Sequence, residues 1–385
     1  MRKAALLCAL LLPALASGQV SGYVSATHGS NSNPLYNYEM IADRPTEGYW
    51  ELTYTDEDDL RTVEIGYVGG VMLFRDLAPR NYLEHRAVVK YRAGGLLLSG
   101  LLGARHDRPE FKEFNNYGAE AGIAYTWGEE NEPRLELSDR LGLRTYEYLK
   151  ELNNITNEAT LSVTTGNRTV LLFRAFAAVG IKHFTTSTID SSAFSEVSGS
   201  GNPGGGNGGG SGNSKKQSQL VAEASANTFQ ITGGIALAKE WTGGGIEGEA
   251  RYRIDPGTDT RLINQIANST IIGEDIYNDH FSYAGPELAF TLRHTLPLDL
   301  RFSVTGEAQQ KNYLVPAYDL MGVETYPDRV DRRGSLQTSL ARSFPVGESV
   351  SVDLTLSVLA LRNESNDTYN DFSVRSFGVS LGIGW

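Results

Sequence analysis

The segment from Phe377 to Trp385 limits what this chain can fold into more than any other. Phe377, Val379, Leu381, Ile383 and Trp385 alternate with Gly378, Ser380, Gly382 and Gly384. A strand sends successive side chains to opposite faces, so one face here is wholly apolar and the other nearly bare. Left in water, such a strand would template aggregation. The same period recurs upstream. In 245–254, Ile246, Gly248, Ala250, Tyr252 and Ile254 share one face, while Glu247, Glu249, Arg251 and Arg253 share the other. In 299–308, Leu300, Phe302, Val304 and Gly306 oppose Arg301, Ser303, Thr305 and Glu307. Segment 82–92 gathers Glu84, Arg86, Lys90 and Arg92 on one side. Segment 133–144 gathers Arg134, Glu136, Arg140 and Arg144, which sends Asp139 to the apolar face unless a bulge intervenes.

The amino terminus reads as an export signal. Arg2 and Lys3 precede the apolar run Ala4–Leu15, and cleavage is expected after Ala16 or after Gly18. The run is too short to span a bilayer as a helix. Cys8, the single cysteine, lies inside it, so the exported chain would be free of disulfides. Beyond residue 18 no apolar run is long enough for a transmembrane helix, so any crossing must use closed β-structure. The 42 Gly, 19 Tyr and 14 Phe suit barrel turns and interfacial aromatic girdles. A net charge of -12 argues against nucleic acid as a partner.

A coarse reading gives about sixteen strand-like segments, with fourteen and eighteen as bounds. The segment 217–239 is taken as one strand because splitting it spoils the order of the connections. With Trp385 at the periplasmic end, the short connections 56–60, 93–94, 128–132, 166–167, 240–244, 294–298 and 343–348 all fall on the periplasmic side. The longer ones, 29–46, 104–115, 186–216, 255–280 and 313–330, fall outside. Short periplasmic turns, longer external loops and an even strand number are what a membrane barrel requires.

On these residues the chain resembles the bacterial outer-membrane β-barrels, whose closing strand typically ends on Phe or Trp. That resemblance implies an antiparallel up-and-down barrel over 19–385, in contact with outer-membrane lipid. It also implies that the barrel assembly machinery reads Phe377, Leu381, Ile383 and Trp385. A homo-oligomer is compatible with the class. No plug domain precedes the first strand, which argues against energy-coupled transport.

Charged groups are costly against lipid, so the polar faces belong in the lumen. The inward candidates are Glu84, Arg86, Lys90, Arg140, Arg144, Glu247, Glu249, Arg251, Arg253, Arg301 and Glu307, a set that mixes both signs. A wet pore that sorts solutes by charge and a wall braced by Glu–Arg pairs both fit this pattern. About sixteen strands normally leave an aqueous channel, which favours the pore. The segment 104–115 contains Pro109-Glu110-Phe111, which resembles a run in the constriction loop of general diffusion porins. By that resemblance Asp107, Glu110 and Glu113 would face a basic patch of Arg86, Lys90 and Arg140. The acidic loops suggest a modest preference for cations.

Thr27-His28-Gly29-Ser30-Asn31 resembles the His-x-Ser-Asn segment of outer-membrane phospholipases and lipid A deacylases. Period two places His28 and Ser30 on one face, where the imidazole could take the serine proton. No orienting acid or amide is evident, and a polar turn is the simpler reading. His85, His106, His183, His280 and His294 lack ligand spacing, so no metal or cofactor is expected. Ser198–Ser214, rich in Gly, reads as a flexible external loop without a P-loop ending. The expectation is therefore a porin-like diffusion channel for small polar solutes. A non-conducting structural or surface barrel is the alternative, and a lipid hydrolase the third reading.

Overall fold

The computed structural model describes residues 18–36, 38–129, 132–185, 227–255 and 280–385. The expected export signal, as far as residue 17, and the expected loop 186–216 lie outside these residues. The strands are β1 (Gln19–Asn31), β2 (Thr46–Glu57), β3 (Arg61–Leu73), β4 (Tyr82–Ala93), β5 (Leu96–Asp107), β6 (Asn116–Trp127), β7 (Arg134–Tyr146) and β8 (Asn154–Asn167). They continue as β9 (Leu171–Phe184), β10 (Asn227–Trp241), β11 (Gly244–Ile254), β12 (Gly285–Leu296), β13 (Leu300–Tyr318), β14 (Glu324–Val346), β15 (Val350–Ser365) and β16 (Phe372–Gly384). Each pairs antiparallel with its chain neighbours, and β1 pairs with β16 to close the barrel. The closure register puts Tyr23 opposite Gly384. Gly22 and Trp385 complete it by exchanging backbone bonds of 2.9 and 3.0 Å. The described part of 217–239 belongs to one strand, β10.

Period two explains why these segments can close on one another. Most apolar residues of the strands face outward, as Val24 and Ala26 do beside Ile383 and Leu381 at the seam. These side chains remain about half exposed, because their solvent is lipid rather than a protein core. Tyr125 and Trp127 meet at 4.7 Å with tilted rings near the short-turn end, and Trp241 and Trp385 lie at the same end, forming an interfacial girdle. Outward ionisable residues keep to the rims. His28, His85, His106, His183, Arg332, Arg362 and Arg375 lie towards the loop end, and Lys239, His294 and Arg342 towards the turn end. Asp139 is the exception: the registers of β6, β7 and β8 run without a bulge, so it stands on the apolar face midway along β7. A closed barrel with such a belt is the membrane-spanning arrangement of outer-membrane proteins.

Connections alternate as expected, with the tight turns at one end. Gly94 (φ 53°) and Gly243 (φ 82°) occupy left-handed positions that these turns require. Two external loops differ from the sequence reading. Residues 313–330 are not a loop: β13 and β14 extend to 19 and 23 residues and leave only 319–323 between them. In place of the loop 104–115, β5 runs through Asp107, and a 3-10 turn, Pro109–Phe114, leads into β6 at Asn116. Side-chain polarity hid both extensions, because above the membrane a paired strand no longer needs an apolar outer face.

Candidate functional site

The register sorts every charged strand residue by face. Across β4–β9 it aligns Glu84 with Arg105, Arg86 with Gly103, Leu101 with Glu120, Gly122 with Arg140, Arg140 with Glu158 and Thr156 with Lys182. All of these face the interior. A cavity of about 490 Å³ lies against this wall. Its charged lining is Arg86, Arg105, Arg140, Arg144 and Lys182 against Glu84, Glu120 and Glu158. Among the described residues of this lining cations exceed anions by five to three, and still by four to three when Arg105, paired with Asp107, is set aside.

Several of these groups engage one another. Arg86 lies 3.4 Å from Glu84, and Lys90 lies 2.7 Å from Glu64 nearer the short-turn end. Arg105 donates two bonds of 2.9 Å to Asp107, and its guanidinium lies 4.0 Å above the Tyr82 ring. Glu158 lies 3.6 Å from His280.

The adjoining wall is built differently. From β9 to β12 the pairs form a continuous chain. Arg174 contacts Glu249 at 2.8 Å and Arg251 contacts Glu249 at 3.4 Å. Arg251 and Arg253 then meet Glu287 at 2.9 and 3.2 Å. Arg253 also donates to Gln230 at 3.2 Å, and both Arg253 and Glu287 are buried. Further round, Arg329, Asp331 and Lys311 are buried beside Tyr313. A smaller cavity of about 280 Å³ touches Arg253, Glu287, Glu307 and Arg333. Glu247 approaches Arg168 at 3.7 Å, and Arg301 approaches Asp353 at 3.6 Å. Such pairs hold strands in register, whereas the first wall turns its cationic excess towards the cavity.

All the inward residues expected from the sequence lie on the interior face of this register. The proposed constriction group does not assemble against the basic patch. Asp107 is held by Arg105 in its own strand, Glu110 is exposed at the rim, and of Glu113 only the backbone is described. The turn itself is pinned at the mouth. Phe114 packs with Tyr146, Leu149, Leu152 and Phe184, and Arg80 lies 3.8 Å over Phe111. The span between β5 and β6 reaches only about 13 Å out and back, too little to cross the lumen. Residues from the other side intrude instead. Phe281 is buried against Gly180, and Gln230 donates to the His280 carbonyl. No sequence signal marked His280 and Phe281, since they close an external connection. Arg105, Glu120, Glu158 and Lys182, also unmarked, obey the same period two as the residues chosen.

His28 and Ser30 do share the outward face of β1. The His28 Nδ1 atom meets the Thr46 hydroxyl at 2.9 Å. That partner is neutral, and lacks the charge by which a carboxylate stabilises an imidazolium. Among the described residues no group of three or more His, Cys, Asp or Glu is placed to hold a metal.

No protein-family model matches the sequence, and a search of curated proteins returns no match. Solved structures resemble it in outline. Acinetobacter baumannii OccAB3 is 10% identical over 96% of this chain and 99% of its own, with a TM-score of 0.46. Acinetobacter baumannii OccAB1 is 7% identical over 96% of both chains, at 0.48. The outer membrane protein OpdK of Pseudomonas aeruginosa is 8% identical over 95% and 99%, at 0.41. At such values the functional reading rests on the barrel's own geometry.

Proposed function

We propose that this barrel is a channel for passive diffusion of small polar solutes, with a lumen that favours anionic groups. The observation that carries the reading is the division of labour between the walls. Ion pairs brace β9–β15, while β4–β9 turns Arg86, Arg140 and Arg144 towards an open cavity, with Lys182 buried at its edge. Inside a low-dielectric cylinder, opposed charged walls set up a transverse field that orients dipolar solutes and raises the local concentration of counter-ions. The sign of that wall, rather than of the acidic loops, would set selectivity, because loop charges are screened within about 8 Å at physiological salt. This reverses the cation preference that composition suggests.

The mature chain is inferred to begin after residue 16 or 18, and β1 starting at Gln19 supports the second site. Phe377, Leu381, Ile383 and Trp385, all on the lipid face of β16, are the side chains offered to the assembly machinery. The test is single-channel conductance in a planar bilayer with reversal potential across a salt gradient. Anion-biased openings are expected, with Arg140→Gln plus Arg144→Gln moving the reversal potential towards cations. A folded, heat-modifiable barrel that conducts nothing would sink the channel, and indifference of selectivity to both arginines would sink the wall assignment.

A further inference from the structure

We infer that the Asp139–Asn157 pair on the lipid face is the centre of a contact with a second copy of this chain. Asp139 and Asn157 lie on adjacent strands, β7 and β8, and both point outward. The Asn157 amide donates to Asp139 Oδ1 at 2.8 Å and reaches the Arg140 carbonyl at 3.4 Å. Among the described residues nothing bonds to Asp139 Oδ2. The outward neighbours of Asp139 along β7 are Leu135, Leu137, Leu141 and Leu143, all exposed. It is therefore set in the middle of the apolar belt, not at the rims where the other outward ionisable residues lie.

Lipid cannot satisfy a carboxylate at this depth, and a polar group in hydrocarbon seeks a partner in protein. The pair is self-complementary. Each copy offers an open acceptor, Oδ2 of Asp139, and a second amide hydrogen on Asn157 that is held by the long 3.4 Å contact to the Arg140 carbonyl and can exchange it for the stronger charge-assisted bond. A two-fold axis beside the pair lets each Asn157 donate to the other copy's Asp139, closing four bonds among four side chains. Two-fold self-contacts are the commonest way for identical chains to associate. The surroundings allow the approach, since Ala119 and Ala121 on β6, Ala159 on β8 and Ala177 on β9 also face outward. These small side chains let two sheets come close, as polar pairing across a membrane interface requires.

The experiment uses the full chain in native outer membranes, with Asn157→Cys treated with a short, membrane-permeant bismaleimide. Leu354→Cys, outward on β15, is the control. The expected product is a covalent dimer at Asn157→Cys and monomer at Leu354→Cys. Mass photometry of the otherwise unaltered chain in nanodiscs should show dimers. There Asp139→Leu should weaken association by about tenfold or more, through loss of charge-assisted bonds on both copies. Asp139→Asn, which keeps one acceptor but loses the second and the charge, should fall between the parent and Asp139→Leu. Heat-modifiability checks folding, and Asp139→Leu removes a polar group from the belt, so folding is not at risk. Monomers in nanodiscs, equal linking at both cysteines, linking to a protein of different mass, or association indifferent to Asp139→Leu would each overturn the proposal. Conductance does not enter this test, so the contact and the channel can fail independently.

Discussion

The buried pair Arg329–Asp331 gives the sharpest energetic test of the braced wall. Arg329 Nε donates to Asp331 Oδ1 at 3.0 Å and Nη2 to Oδ2 at 2.5 Å. Both side chains are 3% exposed. Ser365 donates its hydroxyl to the same carboxylate at 2.6 Å, and the guanidinium lies 4.2 Å over the Tyr313 ring. Lys311 stands directly opposite Asp331 in the ladder and is buried as well. Asp331→Ala would thus leave two cations buried with one fewer anion between them. Removing one member of a buried pair costs about 3–5 kcal/mol, since the remaining charge keeps its desolvation penalty. At about 1.4 kcal/mol per tenfold, that is two to three and a half decades in the folding equilibrium. Replacing both members, as in Arg329→Met with Asp331→Leu, should recover most of that loss. The assay is equilibrium urea unfolding of the refolded barrel in lipid vesicles, read by tryptophan fluorescence and confirmed by the heat-modified gel shift. A loss below about 1 kcal/mol for Asp331→Ala would refute the reasoning, for it would mean that water reaches the guanidinium.

Two further outcomes are expected. At the barrel seam, a Cβ on Gly22 would lie 2.3 Å from Cζ2 of Trp385. Gly22→Val should therefore displace the indole and cost about 1–3 kcal/mol by overpacking, seen as a smaller folded fraction on unheated gels. In the first external loop, burial pushes the Asp43 pKa up, but amide bonds from Leu77, Arg44, Asp76 and Arg75 outweigh it and hold the carboxyl below its ordinary value of 3.8. A depressed folded pKa means stability that is complete above that ordinary value and lost as pH falls through the depressed one. Amides 75–77 should accordingly exchange hydrogen faster once the pH drops below that ordinary value, and Asp43→Asn should abolish the change. Protection that is independent of pH across that range would refute it.

Much of this molecule is local information. Whether Glu249 or Ala250 faces the lumen is settled by alternation within β11 alone, and the spacing of turn signals gives a strand count of sixteen to within two. The same rule correctly left Asp139 on the lipid face. Sequence pattern failed where that rule loses its force. Residues 313–318 and 324–330 sit above the bilayer, so no apolar alternation marks them, yet they pair across β13 and β14. Arg105 and Asp107 were hidden for the same reason.

Which charges meet is a different kind of fact. Glu287 serves both Arg251 and Arg253 because the β11–β12 register sets it opposite Arg251 with Arg253 on the diagonal, and Phe281 reaches Gly180 from a connection distant in the chain. Side-chain direction is set by each residue's own backbone, so the sequence by itself determined the class of fold, the strand count to within two, and the two faces. Partnership depends on the stagger accumulated around a closed ladder and on where loop ends fold back. Only the tertiary structure could therefore decide that one wall is braced and the other left open with its cations in excess.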